Sequence, residues 1–170
     1  MARKSVFYSF HFDNDVFRVQ LIRNIGVIDD NKPVSVNEWE EVRRKKDPAI
    51  QKWIDDNMKY RSCVVVLVGE DTANRPWVKY EIKKAWEENR GLLGVYVHNI
   101  NCLKNGKCRK GANPFDRFTL NDGRKLSSIV SCYDPSSIDA YNEIRNNLET
   151  WVERAENQRK IARGSIISIA

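Results

Sequence analysis

Little in this chain is built for covalent stapling or for holding metal. Its 170 residues include 4 cysteines, 2 histidines and 2 methionines. None of Cys63, Cys102, Cys108 and Cys132 forms a C-x-x-C pair, and His11 and His98 share no ligand spacing with them. Zinc needs about four well-placed ligands, so no metal centre is expected. Long apolar runs are missing too. The longest, Cys63-Val-Val-Val-Leu-Val68, has 6 residues, against the roughly 20 of a membrane helix. The opening run meets His11 and Asp13 too early for a secretory signal. A cytoplasmic protein with reduced thiols is therefore expected, although Cys102 and Cys108 flank a Lys/Gly loop and could bridge if oxidised. Neither a P-loop pattern nor G-x-G-x-x-G occurs, and Gly69-Glu-Asp71 lacks the glycines that wrap a pyrophosphate. Nothing supports a kinase, a Rossmann oxidoreductase or a Ser-His-Asp hydrolase. Repeats and low-complexity segments are also lacking.

What is present fits one soluble α/β domain. The length falls within the usual range for a single domain, and 41% hydrophobic with 31% charged residues indicates a folded chain. We read residues 1–163 as that domain and 164–170 as a short apolar tail. The net charge of +6 favours anionic partners without choosing among them. Basic clusters at 43–46, 104–110 and 154–163 read as solvated faces. A nucleic-acid binder resting on Arg43-Arg-Lys-Lys46 lacks any recognition motif.

Alternating patterns predict strands at 6–10, 63–68, 92–98 and 128–133. Helices are predicted from the Asp13 and Asp15 caps to about Asn24, at 37–46, from Asp47-Pro48 through the stripe Ile50, Trp53, Ile54 and Met58, at 72–90, and from Asp134-Pro135 onward. The first helix carries apolar residues on more than one face, which implies it is well covered. The last helix is read with Ile138 on its stripe. Residues 99–127 read as a long polar loop, a length that is usually functional. Such alternation builds a three-layer sandwich around a mainly parallel sheet. Ligands then bind beyond the carboxyl ends of the strands.

Two segments at that edge carry chemistry. Ser9-Phe-His-Phe-Asp-Asn-Asp15 gathers aromatics, an imidazole and carboxylates: Phe10 could stack on a base and His11 could donate to phosphate or ribose, with Asp13 beside them. The same residues also suit a core edge and a helix cap. In Thr72-Ala-Asn-Arg-Pro-Trp-Val-Lys-Tyr-Glu81, Trp77 and Glu81 share a helix face. That face is offset from Val78, Ile82 and Ala85, so Glu81 is expected to be accessible, with no need of a raised pKa. A carboxylate there could hold ribose hydroxyls and stabilise an oxocarbenium-like centre, or be a plain surface charge. Arg18, Arg23 and Arg75 are candidate oxyanion clamps.

The motifs have a family likeness. Val6-Phe-Tyr-Ser-Phe10, then Val64-Val-Val-Leu-Val68 with Trp77-Val-Lys-Tyr-Glu81, resembles TIR domains. More closely, the chain resembles the TIR-like proteins of the Thoeris antiphage system. The likeness rests on Ser9-Phe-His-Phe12, Phe17-Arg-Val19 with Ile22-Arg-Asn24, Trp77-Val-Lys-Tyr-Glu-Ile82, Gly91-Leu-Leu-Gly94 with His98, and Gly111-Ala-Asn-Pro-Phe115. It implies a flavodoxin-like fold and NAD as substrate rather than cofactor. It also implies cleavage of the nicotinamide–ribose bond and an ADP-ribose-derived, often cyclic, signal for a separate effector. A phage-derived trigger and self-association are the further partners it brings. Glu81 becomes the catalytic carboxylate, with Phe10, His11, Asp13, Arg18, Asn24, Thr72, Arg75 and Trp77 around the substrate. The alternative is a TIR-like module that senses a nucleotide or binds a protein without cleavage. The Arg-Asp-Pro-Gly type loop of ordinary TIR domains is missing between Ile25 and Asp47.

Overall fold

The computed structural model describes residues 5–24, 45–101 and 106–170, and within these the side chains of 12–14 are not described. The elements that set the architecture are β1 (Val6–Phe10), α1 (Phe12–Arg23), α2 (Asp47–Met58), β2 (Cys63–Val68), α3 (Pro76–Glu87), β3 (Gly91–Tyr96), β4 (Phe118–Leu120), β5 (Cys132–Tyr133), α4 (Ala140–Ile161) and β6 (Ile166–Ile169). Four strands form one parallel sheet in the order β1-β2-β3-β5. Val6 pairs with Cys63, and Cys63 with Gly91.

The sheet is covered on both faces, which is why β2 is six apolar residues without a polar break. Side chains alternate across it. Phe7, Val64, Val66, Val68, Leu92 and Tyr96 pack under α2 and α3. Val6, Cys63, Val65, Leu67, Leu93 and Val95 pack under α1 and α4. The stripe read on α2 is seated as expected, with Ile50, Ile54 and Met58 buried. The chain is thus an α/β sandwich of flavodoxin-like type.

Several expectations need correction. His11, not Asp13 or Asp15, occupies the position before α1, and both aspartates lie inside its first turn. Only Val19 and Ile22 of the apolar set on α1 are buried, while Phe17 and Leu21 stay exposed; Ile25 lies outside the described residues. The helix read from Thr72 begins as a 3-10 turn, Thr72–Asn74, and the α-helix starts at Pro76. The strand read at 128–133 shrinks to Cys132–Tyr133, because residues 126–128 close a 3-10 turn. The last helix starts at Ala140, where the Asp139 carboxylate accepts from the Asn142 N–H at 3.3 Å. Ile138 precedes it and is 92% exposed. The helix read at 37–46 falls largely outside the described residues.

The long connection after β3 is not structureless. Phe115, Phe118, Leu120 and Leu126 join the α2/α3 core. β4 pairs antiparallel with β6, so the apolar tail is a strand of a small second sheet.

Candidate active site at the carboxyl edge of the sheet

Three chain segments converge where β1 and β2 end. From β1 come Ser9 and then His11, both buried. After β2 the chain turns sharply: the Gly69 N–H donates to the Thr72 hydroxyl at 2.8 Å, and the Arg75 N–H donates to the Thr72 carbonyl at 3.1 Å. Pro76 then opens α3, as proline suits a first helical position. α3 lays Val78, Glu81, Ile82, Ala85 and Trp86 against the sheet.

Glu81 therefore sits on the core stripe and not on a solvent face. It is 5% exposed, which overturns the expected rim position. Its positions relative to Val78, Ile82 and Ala85 are those of one helix face. The Ser9 hydroxyl donates to Glu81 Oε2. Among the described residues, Ser9 is the hydrogen-bond donor to this carboxyl. Burial pushes the Glu81 carboxyl up to about 8, with the Ser9 hydrogen bond opposing. The expectation of an ordinary pKa is corrected accordingly. One oxygen is pinned by Ser9, in a carboxyl that burial keeps largely protonated at neutral pH.

A second buried carboxylate lies on α1, against the turn after β2. Asp15 is fully buried and lies directly on Gly69: a Cβ on that glycine would come within 2.1 Å of Asp15 Oδ2. Burial raises the Asp15 carboxyl to about 6, against the pull of Arg18 at 3.4 Å. Arg18 is itself buried and also donates to the Ile100 carbonyl at 3.2 Å and the Gly106 carbonyl at 2.7 Å. The guanidinium is thus spent on holding the connection after β3. It is a strut, and the expected role as an oxyanion clamp does not fit its contacts. Gly111 seats the same connection on the β2 turn, since a Cβ there would fall 2.0 Å from the Gly69 carbonyl oxygen.

The other sequence candidates separate into three groups. Thr72 is at the edge but buried, with its hydroxyl used inside the turn. Arg75 is half-exposed and paired with Asp71, whose carboxyl is held low first by Asn74, then by Arg75, with a smaller pull from His11. Trp77 lies one helical turn before Glu81, half-buried and edge-on to Tyr80 at 5.6 Å. Phe10 faces away: its ring packs on the α1/α4 core, because adjacent strand residues face opposite sides. Arg23 lies over the Tyr8 ring at 5.9 Å. Asn24 caps the far end of α1, about 18 Å along a 12-residue helix from its start. The structure does not bring Asn24 to this edge. Asp13 lies in the first turn of α1, and its side chain is not among those described.

Ser9 and Asp15 lie in the candidate segment 9–15 but have no role assigned from the sequence. Ser9 is a polar residue at a buried strand position, and that break in the apolar pattern is the available signal. For Asp15, which also suits a helix cap, nothing local marks burial. On the opposite flank, Lys110 pairs with Asp134 at 2.8 Å and covers the Tyr96 ring at 4.5 Å, so part of the 104–110 cluster serves as ties rather than as a free basic face. Cys132 is pressed against Gly94, and burial lifts its thiol to about 12. Cys102 lies outside the described residues, so the pairing with Cys108 does too.

Residues 7–101 match the family model described as "Thoeris protein ThsB, TIR-like domain". The chain belongs to this family. A Bacillus cereus (strain MSX-D12) protein named "Putative cyclic ADP-D-ribose synthase ThsB1" is 32% identical over 131 residues, covering 72% of this chain and 68% of that protein. The family span holds β1, β2, α3 and β3, and with them Ser9, Asp15, Arg18, Gly69 and Glu81. Gly111, which closes the edge from above in this ThsB-type TIR-like domain, lies beyond that span. Among the described residues no helix is long and apolar enough to cross a membrane.

Proposed function

We propose that the protein consumes NAD, breaking the nicotinamide–ribose bond and forming an ADP-ribose-derived, cyclic signal in antiphage defence. The observation that carries this reading is Glu81: buried at the carboxyl edge and fixed at one oxygen by Ser9. It agrees with the synthase named for the Bacillus cereus relative.

The chemistry follows from charge. The nicotinamide ring of NAD is cationic, and an opposite charge favours the ionised carboxylate. Binding would therefore convert Glu81 from its neutral, waiting form into an anion facing the ribose. As the C1′–N bond breaks, its electron pair goes to the nicotinamide nitrogen. Nicotinamide leaves neutral, and positive character builds on C1′. Glu81 opposes that charge in a site poor in water, where a fixed carboxylate is worth more than in bulk solvent. A nucleophile on the same ADP-ribose then closes the ring and sheds one proton. If water attacks instead, the product is linear ADP-ribose and the activity is that of a glycohydrolase. Ring closure is favoured wherever the site holds the two ends of one molecule together. A separate effector then reads the diffusing product in the cytoplasm.

The test is incubation of purified protein with NAD, with and without lysate of phage-infected cells. Nicotinamide and nucleotide products are followed by mass spectrometry beside Glu81→Gln. Release that depends on Glu81, with a new mass equal to NAD less nicotinamide, is the expected result. A folded protein that binds NAD and never releases nicotinamide would instead be a sensing or interaction module.

A further inference from the structure

We infer that Ser9 is a positioning residue for Glu81, fixing Oε2 and with it the orientation of the carboxylate toward the ribose. The inference rests on the proposed NAD chemistry for its meaning and on the following geometry for its content. Ser9 is 1% exposed and lies on β1, while Glu81 lies on α3, 72 residues away in sequence. Their hydrogen bond is a direct link between the first strand and the catalytic helix. It also explains a polar residue at a strand position whose neighbour on the same face, Phe7, is core.

The environment leaves Ser9 with no competitor. Glu81 is packed among Val78, Ile82, Ala85 and the strands beneath α3. Burial raises the Glu81 carboxyl and the Ser9 hydrogen bond opposes that rise. Among the described residues, no lysine, arginine or histidine forms an ion pair with Glu81. A buried carboxyl without a partner would rotate freely between its two oxygens and lose a donor that favours its charged form. Ser9 removes both problems with one bond. Its hydroxyl is bonded to Glu81, so its effect travels through that carboxyl.

The experiment compares wild type, Ser9→Ala and Ser9→Thr in the full chain. Glu81 is titrated by carbon-13 NMR of its carboxyl, assigned by its loss in Glu81→Gln, and circular dichroism checks the fold. In Ser9→Ala the Glu81 titration should move to higher pH, and Ser9→Thr, which keeps the hydroxyl, should move it back. Nicotinamide release should follow: kcat falls about 10- to 100-fold in Ser9→Ala while KM changes little, as expected for misplacement of one catalytic group. The rate's alkaline-side rise should shift with the NMR titration. An unmoved Glu81 titration in folded Ser9→Ala overturns the inference, as does a kcat equal to wild type. If wild type releases no nicotinamide under any condition while the titration moves as described, the NAD reading fails and the Ser9–Glu81 link stands as a structural pair.

Discussion

Replacing Glu81 by glutamine should make the protein more stable at alkaline pH while abolishing its proposed reaction. The reasoning starts from the carboxyl's rise from an ordinary 4.5 to about 8 in the folded chain. A group whose folded pKa is raised binds its proton more tightly when folded. Its contribution is intact below about 4.5 and is lost as pH climbs through about 8. At about 1.4 kcal/mol per tenfold in proton affinity, the full loss is about 5 kcal/mol above pH 8, and about 3 kcal/mol is already gone at pH 7. These figures are ceilings, because local relaxation and water penetration soften the cost of a buried charge. Glutamine has nearly the same shape, accepts the Ser9 hydroxyl in the same way and never ionises. Urea unfolding of both proteins at pH 5, 7 and 9 gives the answer directly. The stability difference should be small at pH 5 and widen steadily in favour of Glu81→Gln. Asp15, raised to about 6, tilts both curves equally and cancels. Curves that stay parallel within about 1 kcal/mol from pH 5 to 9 would refute the burial argument. They would mean that the carboxylate is hydrated in the free protein.

Binding of NAD near pH 7 should release close to one proton as Glu81 ionises, visible as calorimetric heats that change with the buffer's ionisation enthalpy; Glu81→Gln should abolish the buffer dependence. Gly111→Ala should destabilise by about 2–3 kcal/mol, because its Cβ would meet the Gly69 carbonyl oxygen at 2.0 Å and a backbone atom cannot swing aside. A thermal midpoint equal to wild type would contradict that packing. Arg18→Met should cost about 3 kcal/mol by stranding buried Asp15. It should also speed hydrogen exchange at the Cys108 amide, which donates to the His98 carbonyl at 3.0 Å within the segment that Arg18 secures.

The sequence was informative wherever one period governed a whole element. The six apolar residues of β2 could be only a covered strand, and Ile50, Ile54 and Met58 marked the inner face of α2. It misled where several start signals compete. Asp134, Pro135, Ser136, Ser137 and Asp139 all suit a helix entry, and only tertiary packing selects Asp139. That choice is what leaves Ile138 outside the stripe. Glu81 shows a different weakness. Its spacing from Val78 and Ile82 already placed it on the buried face, yet a carboxylate there contradicts the usual rule for charge. The break in that rule was the functional signal. Ser9 carried the same signal more faintly. Asp15 and Arg18 lie three apart on α1, but the reach of Arg18 to the carbonyls of Ile100 and Gly106 is encoded by no local pattern.

The Arg18 strut also defines a place where the chain can be lengthened. One guanidinium grips the carbonyls of Ile100 and Gly106, so both ends of that short stretch are fixed to the same point on α1. Closing a longer loop between fixed ends costs little, about 0.6 kcal/mol for each doubling in length. An epitope tag or a fluorophore-bearing peptide grafted between residues 101 and 105 would therefore leave its two anchor points unmoved. It would give the protein a handle tied at both ends to α1 through Arg18.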